Sequence, residues 1–380
     1  MELPLDYETL KVIWWGLVGI LLIGFAVTDG YDLGTATLLP FVAKTDRERR
    51  LIINAIAPTW EGHQVWFITA GGALFAAWPF VYAISFSGFY LAMFVVLAAL
   101  ILRPVGFKYR SKLESPRWRS TWDWALFIGG AVPALIFGVA LGNVLQGVPF
   151  SIDTTLRATY DGGLLGLLNP FALLTGLVSV AMLVMHGAAY LGTKIEHGVV
   201  LDRAVAAGRW AALALVVLYA VAGVWLALSV AGFRIDGVID AGGPANPLRK
   251  EVSIAVGAWM DNYSRYPWMI IAPALGFAGA VLAWRMLGRK PGLAMLGSGL
   301  SIAGVIGSVG ASMFPFLLPS SKMPAASLTV WDSSSSHLTL FIMLIAVVVF
   351  LPIVLLYTSW VIKVLWGRVT TDEANSPGHY

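Results

Sequence analysis

The chain has no cysteine. Disulfides, thiolate metal centres, iron–sulfur clusters and thiol nucleophiles are therefore excluded. Charge is also scarce: Asp, Glu, Lys and Arg make up 12% of the 380 residues, about half the share usual in soluble domains, while 58% are hydrophobic. No P-loop, dinucleotide fingerprint, nucleophile elbow or zinc signature occurs, which argues against a self-contained soluble-type active site. The formal net charge of +4 does not point to nucleic acid. In so apolar a chain, Lys and Arg report membrane orientation before ligands.

What remains is a series of apolar runs, each long enough to cross a bilayer as a helix. The reading is an all-α integral membrane protein with about nine spans, near 12–39, 51–78, 79–102, 122–145, 164–191, 205–230, 267–287, 292–314 and 338–366. The acidic start MELPLDYETLK leads into an apolar run too long for a signal peptide, so the first span is expected to be retained. Only Trp78-Pro79 divides the second span from the third, and the charges test that division. With nine spans, one face collects Lys44, Arg47, Arg49 and Arg50, then the loop residues Arg103, Lys108, Arg110, Lys112, Arg117 and Arg119, and most of the later Lys and Arg. Lys11, Arg157, Arg234, Arg249, Lys250, Arg265 and Lys322 fall on the other face. The positive-inside rule then places the N-terminus in the periplasm and the C-terminus in the cytoplasm. Residues 1–366 are expected to form a single polytopic membrane domain and 367–380 a cytoplasmic tail. The longest external loop, about 231–266, reads as irregular or partly helical, and Asp332 with Ser333–Ser336 reads as an N-cap cluster for the last span.

Ionisable residues inside apolar runs are the functional candidates, since a carboxylate in hydrocarbon costs a few kcal/mol even by the lowest scales, about 2.5–3.5. IAPTWEGHQVWF carries Glu61, His63 and Gln64, and GFAVTDGYDLG carries Asp29 and Asp32, three apart and so on one helix face. Asp29 and Glu61 each lie about ten residues from the basic end of adjacent antiparallel spans, roughly 15 Å deep, which suggests one shared polar pocket. Two carboxylates in such a pocket would suit a proton relay. The alternatives are structural: Glu61 bonded to His63 or to backbone freed by Pro58, and Asp29 and Asp32 capping backbone at a Gly-rich kink. Of the five histidines only His63 and His186 fall inside spans, leaving little material for haem ligation. The segment RPVGFKYRSKLESPRWRSTWDW reads as a positive-inside anchor with interfacial aromatics, or else as a site for anionic headgroups.

Several long motifs carry a resemblance: IWWGLVGILLIGFAVTDGYDLG (13–34), ERRLIINAIAPTWEGHQVWFITAGGALFAAWP (48–79), FSGFYLAM (86–93), RPVGFKYRSK (103–112), GNVLQGVPF (142–150), MFPFLLPSS (313–321), SLTVWDSSSSHLTL (327–340) and PIVLLYTSW (352–360). The chain closely resembles subunit II of cytochrome bd-type quinol oxidases, nearly end to end, most weakly across about 192–245. The resemblance implies a bacterial inner-membrane complex that oxidises ubiquinol or menaquinol and reduces O2 to water without pumping protons. It implies that two haems b and one haem d belong to subunit I, and that this chain binds no metal and has no catalytic residue of its own. A structural quinone and very small accessory subunits are possible companions in the family. The implied fold has two four-helix bundles plus one peripheral helix. The acidic residue proposed in the family to feed protons falls on Glu61, where Asp is more usual, and His63 stands where Asn is expected. The proton-pathway candidates are thus Glu61, Asp29, Asp32 and His63. Two readings compete: a secondary transporter with a midplane acidic site, which predicts paired repeats that the sequence lacks, and a purely structural assembly subunit, which predicts an inert Glu61.

Overall fold

The computed structural model describes residues 3–365 and 367–369; the expected tail beyond 369, with His379, lies outside them. The helices are α1 (Tyr7–Val42), α2 (Asp46–Ile56), α3 (Trp60–Ala77), α4 (Pro79–Gly88), α5 (Tyr90–Tyr109), α6 (Pro116–Gln146), α7 (Pro170–Lys194), α8 (Val199–Leu228), α9 (Asp261–Arg265), α10 (Ile271–Met286), α11 (Pro291–Met313) and α12 (His337–Val364). Among the described residues, eight helices are long and apolar enough to cross a membrane. The expected second span is instead two helices, α2 and α3, separated by a turn at Pro58, and the expected third is α4 followed by α5. The polar group Glu61–Gln64 is what leaves α3 short of the apolarity of the others.

Helices α1, α3, α5 and α6 pack as one group, and α7, α8, α10 and α11 as another, with α1 and α6 both lying against α7. The contact between groups depends on small residues. A Cβ added to Gly34 would lie 1.8 Å from the Leu183 carbonyl oxygen, and one on Gly187 2.5 Å from the Thr35 nitrogen, so α1 and α7 meet backbone to backbone. Gly34→Ala must therefore push the helices apart. We expect a loss of about 1–3 kcal/mol or more in stability, in the range of overpacked cores, read as a lower thermal midpoint of the purified protein. Ala36→Gly on the same helix, which adds no volume, should not reproduce the clash.

Helix α12 is peripheral: Leu340 is its only buried residue among those described, while its mean hydropathy is the highest of the eight. Its start is held by α1 and the residues before it. The Tyr7 hydroxyl donates to the Ser335 carbonyl (2.6 Å), Trp14 Nε1 to the Leu340 carbonyl (2.9 Å) and His337 Nε2 to the Leu5 carbonyl (2.7 Å).

Three expectations about this end are corrected. The 231–266 loop is partly helical, through α9, but also contains an unexpected antiparallel hairpin, β3 (Ala231–Asp236) with β4 (Glu251–Val256), one of three such hairpins among the described residues; the others are β1 (Phe150–Ile152) with β2 (Ala158–Tyr160), and β5 (Phe316–Leu318) with β6 (Leu328–Thr329). Ser336 caps α12 by accepting from the Thr339 N–H, whereas Asp332 accepts from the Thr329 N–H and pairs with Lys250 at 2.7 Å. Lys11, counted among flanking charges, is fully enclosed, its ammonium donating to the carbonyls of Ala241 (2.8 Å) and Trp331 (2.7 Å). Burial there also lowers the pKa of Lys250, against the pull of Asp332.

Candidate functional site

The break between α2 and α3 organises the site. Pro58 has no N–H to donate and its ring crowds the carbonyl one turn back, and here, unlike at Pro40, Pro104, Pro133 and Pro352, the helix stops: α2 ends at Ile56 and α3 begins at Trp60. Thr59 N–H donates to Ile56 rather than to Ala55. The Ala55 carbonyl is thereby released, and the Tyr190 hydroxyl of α7 donates to it at 2.8 Å. Helix α3 then restarts with Trp60, and its first turn presents Glu61 and His63. Two residues along a helix is a rotation of about 200°, so these side chains face opposite ways. His63 is buried and turned into the bundle, whereas Glu61 is exposed on the outer face of the chain.

Inside, two carboxylates one turn apart on α1 find different partners. Asp29, fully buried, accepts from Arg103 Nη2, which lies 3.0 Å from both of its oxygens. Asp32, also fully buried, lies with Oδ2 2.6 Å from His63 Nδ1. His63 Nε2 is 3.0 Å from the Tyr31 hydroxyl, whose ring stacks on Tyr190 with centroids 3.9 Å apart. Thr59 sits beside both tyrosine hydroxyls. Three buried polar atoms in the cluster have no protein partner: Asp32 Oδ1, Arg103 Nε and Arg103 Nη1. Such atoms in native proteins are usually met by buried water. Next to the cluster, His186 Nε2 donates to the Val27 carbonyl (2.8 Å) and its Nδ1 lies 2.7 Å from Ser298 Oγ, tying α7 to α1 and α11.

The structure thus brings Asp32 and His63 into direct contact and pairs Asp29, one turn away on α1, with Arg103. It does not bring Glu61 into that pocket. Equal depth was the basis for pairing Glu61 with Asp29, but depth fixes height along a helix and not the direction in which a side chain points. Asp29 and Asp32 serve as side-chain ion-pair partners rather than as caps of a kink. Arg103 was missed, because the third span was ended at Leu102. Helix α5 in fact runs on to Tyr109 and carries Arg103 inside it. The apolar Val105, Gly106 and Phe107 after it were the available signal.

A second ionic cluster closes the basic end. Asp123 of α6 accepts from Arg110 Nε (2.5 Å) and Arg49 Nη1 (2.6 Å), and Asp46 accepts from Arg110 Nη2 (2.8 Å) and Arg119 Nη1 (2.9 Å). Glu48 belongs to the same end and completes a capping box with Thr45 at the start of α2. Its partial burial raises the carboxyl pKa, but the N–H groups of Lys44 and Thr45 and the Arg203 guanidinium outweigh that and hold it below the ordinary value. Among the described residues no three His, Asp or Glu side chains gather as metal ligands.

These features define a polytopic helical membrane protein with ionisable groups enclosed between its first helices. The chain belongs to the cytochrome bd terminal oxidase subunit II family, whose model matches residues 10–365. It is 50% identical over 378 residues to the cytochrome bd-I ubiquinol oxidase subunit 2 of Escherichia coli K12, and 50% identical over 376 residues to the probable cytochrome oxidase subunit 2 of Haemophilus influenzae, with 99% of each chain covered in both cases. The cytochrome bd ubiquinol oxidase subunit 2 of Bacillus subtilis is 29% identical over 365 residues, covering 96% of this chain and 98% of that one. The fold matches a chain of the bd oxidase structure from Geobacillus thermodenitrificans with a TM-score of 0.62 at 16% identity, covering 94% of this chain and 98% of that chain.

Proposed function

We propose that this chain is the haem-free core subunit of a cytochrome bd-type quinol oxidase in a bacterial inner membrane. It braces the haem-bearing subunit I and delivers protons from the cytoplasm to the oxygen-reducing site. Reduction of O2 to water consumes one proton for every electron, so an oxidase fed by quinol needs a path through apolar protein. The haems of the partner subunit supply the electron chemistry; the residues of this chain hold and pass protons.

The observation that carries the reading is the position of Glu61. Its carboxylate stands on an exposed face of α3 that continues as exposed Val65 and Ile68. Left against lipid it would cost about 2.5–3.5 kcal/mol or more, so that face is best matched to a partner subunit that meets the carboxylate with polar groups or water. The haem-free reading is supported by the histidines. Both ring nitrogens of His63 and of His186 are already engaged, and neither side chain presents a nitrogen for axial ligation.

The test is quinol-driven O2 consumption by the purified complex carrying Glu61→Gln, with haem content checked optically. Intact haem bands with turnover reduced at least about tenfold are expected, since a positioned proton-transfer group contributes on the order of 100-fold or more. Parent turnover with intact haems would make the chain a scaffold.

A further inference from the structure

We propose that Asp32 and His63 form a second proton-holding site, enclosed within this chain and filled through Tyr31 from the unwound turn at 57–59. The inference rests on the reading of this chain as a proton supplier, but it concerns groups that Glu61 does not touch.

Charge balance supplies the first support. The groups facing His63 are Asp29, Tyr31 and Asp32 from α1, Arg103 from α5, and Tyr190 from α7, with His186 behind Tyr31. Asp29 and Arg103 neutralise each other. A lone ionised Asp32 would then leave one net negative charge in a fully buried place, which is strongly disfavoured. The Asp32–His63 pair therefore keeps one dissociable proton, either on the carboxyl or as an imidazolium facing a carboxylate. The pair can release that proton when a base draws on it and recover it afterwards.

Connectivity is the second support. Tyr31 bridges His63 to the turn, where Thr59 sits beside its hydroxyl and the freed Ala55 carbonyl holds the neighbouring Tyr190. In the transfer, the Tyr31 O–H bond breaks as its proton passes to His63 Nε2. Tyr31 Oη takes a replacement proton from the turn side, and the Nδ1 proton of the resulting imidazolium passes to Asp32 Oδ2. No charge is left on the tyrosine. On the far side, the unpartnered Asp32 Oδ1, Arg103 Nε and Arg103 Nη1 offer one acceptor and two donors through which water would continue the path toward Asp29. A merely structural tie between α1 and α3 would have no need of the Tyr31 link, nor of an orphaned carboxylate oxygen.

The experiment uses the purified, fully assembled oxidase with Tyr31→Phe, His63→Asn and Asp32→Asn, each checked for parent haem content. Tyr31→Phe keeps the ring stacked on Tyr190 and removes only the hydroxyl. Tyr31→Phe and His63→Asn are each expected to lower O2 turnover about tenfold, equivalent to about 1.4 kcal/mol of barrier. In infrared spectra, a carboxylic-acid C=O band sensitive to D2O should strengthen in His63→Asn, as the proton moves wholly onto Asp32, and be missing in Asp32→Asn. Parent turnover at every pH in both Tyr31→Phe and His63→Asn overturns the proposal, as does a carboxylic-acid region that neither His63→Asn nor Asp32→Asn changes. If Asp32→Asn does not assemble, the other two variants decide. A slow Glu61→Gln beside parent-like Tyr31→Phe and His63→Asn removes the inner site alone. Parent turnover in all of them removes the proton-supply reading with it.

Discussion

Replacing Arg103 by leucine is expected to prevent this chain from accumulating as a folded subunit. Arg103 is fully buried on α5 and is the cation that faces Asp29 on α1. Without it, Asp29 is an uncompensated carboxylate between helices, and breaking a buried pair from one side costs about 3–5 kcal/mol. That is a large share of the 5–15 kcal/mol by which proteins are typically stable, so the expected readout is loss of the assembled complex and its haem bands from membranes. Removing both charges is a different experiment. Asp29→Leu with Arg103→Leu leaves no ion unpaired, and such replacements are often neutral. The double variant should recover most of the haem content. If Arg103→Leu alone assembles as well as the parent, the pair is not what holds α1 to α5. If the double variant assembles but turns over slowly, Asp29 has a role in turnover beyond packing.

Arg103 also shows where a one-dimensional reading of this chain reaches its limit. An arginine after a long apolar run looks like the start of a basic loop, and the next residues, Lys108, Arg110 and Lys112, reinforce that impression. Only the presence of Asp29 on another helix makes burial of Arg103 tolerable, and no local pattern reports that. Lys11 and Asp332 were misplaced for the same reason: the carbonyl of Trp331 that holds Lys11 is 320 positions along the chain, and Lys250, which pairs with Asp332, belongs to a different external loop. The long apolar helices, by contrast, were legible, because bilayer thickness imposes a length that can be counted. Asp29 and Asp32 could be placed on one face from their spacing alone, whereas the break at Pro58 was not read, since other helices of this chain run through proline unbroken. Glu61 was found as a candidate but placed in one pocket with Asp29 on matched depth, which does not fix the direction in which a side chain points. The link from His63 to Asp32 runs between helices and needed coordinates.

Asp123→Ala is expected to destabilise the protein by about 3–5 kcal/mol, the range for exposing one side of a buried ion pair. Asp123 and Arg110 are each 1% exposed, and the carboxylate serves Arg49 as well. Its loss strips Arg110 of its enclosed partner and leaves only Asp46, whose side chain is 38% exposed and which is shared with Arg119. Three segments are held by this knot: the start of α2, the end of α5 and the first turns of α6. The start of α2 lies about 16 Å, the length of an eleven-residue helix, from the turn that presents Glu61 and His63. The substitution should therefore both lower the thermal midpoint of the complex and loosen the turn, seen as faster amide exchange at residues 55–60. Arg234→Ala provides the contrast. Its pair with Asp261 is half exposed on both sides, and removing it should change stability by no more than about 1 kcal/mol. Equal midpoint shifts for the two variants would mean that burial does not set the strength of the Asp123 knot. A large shift confined to Asp123→Ala, with faster exchange at the turn, would tie the ionic cluster at the basic end to the geometry of Glu61 and His63.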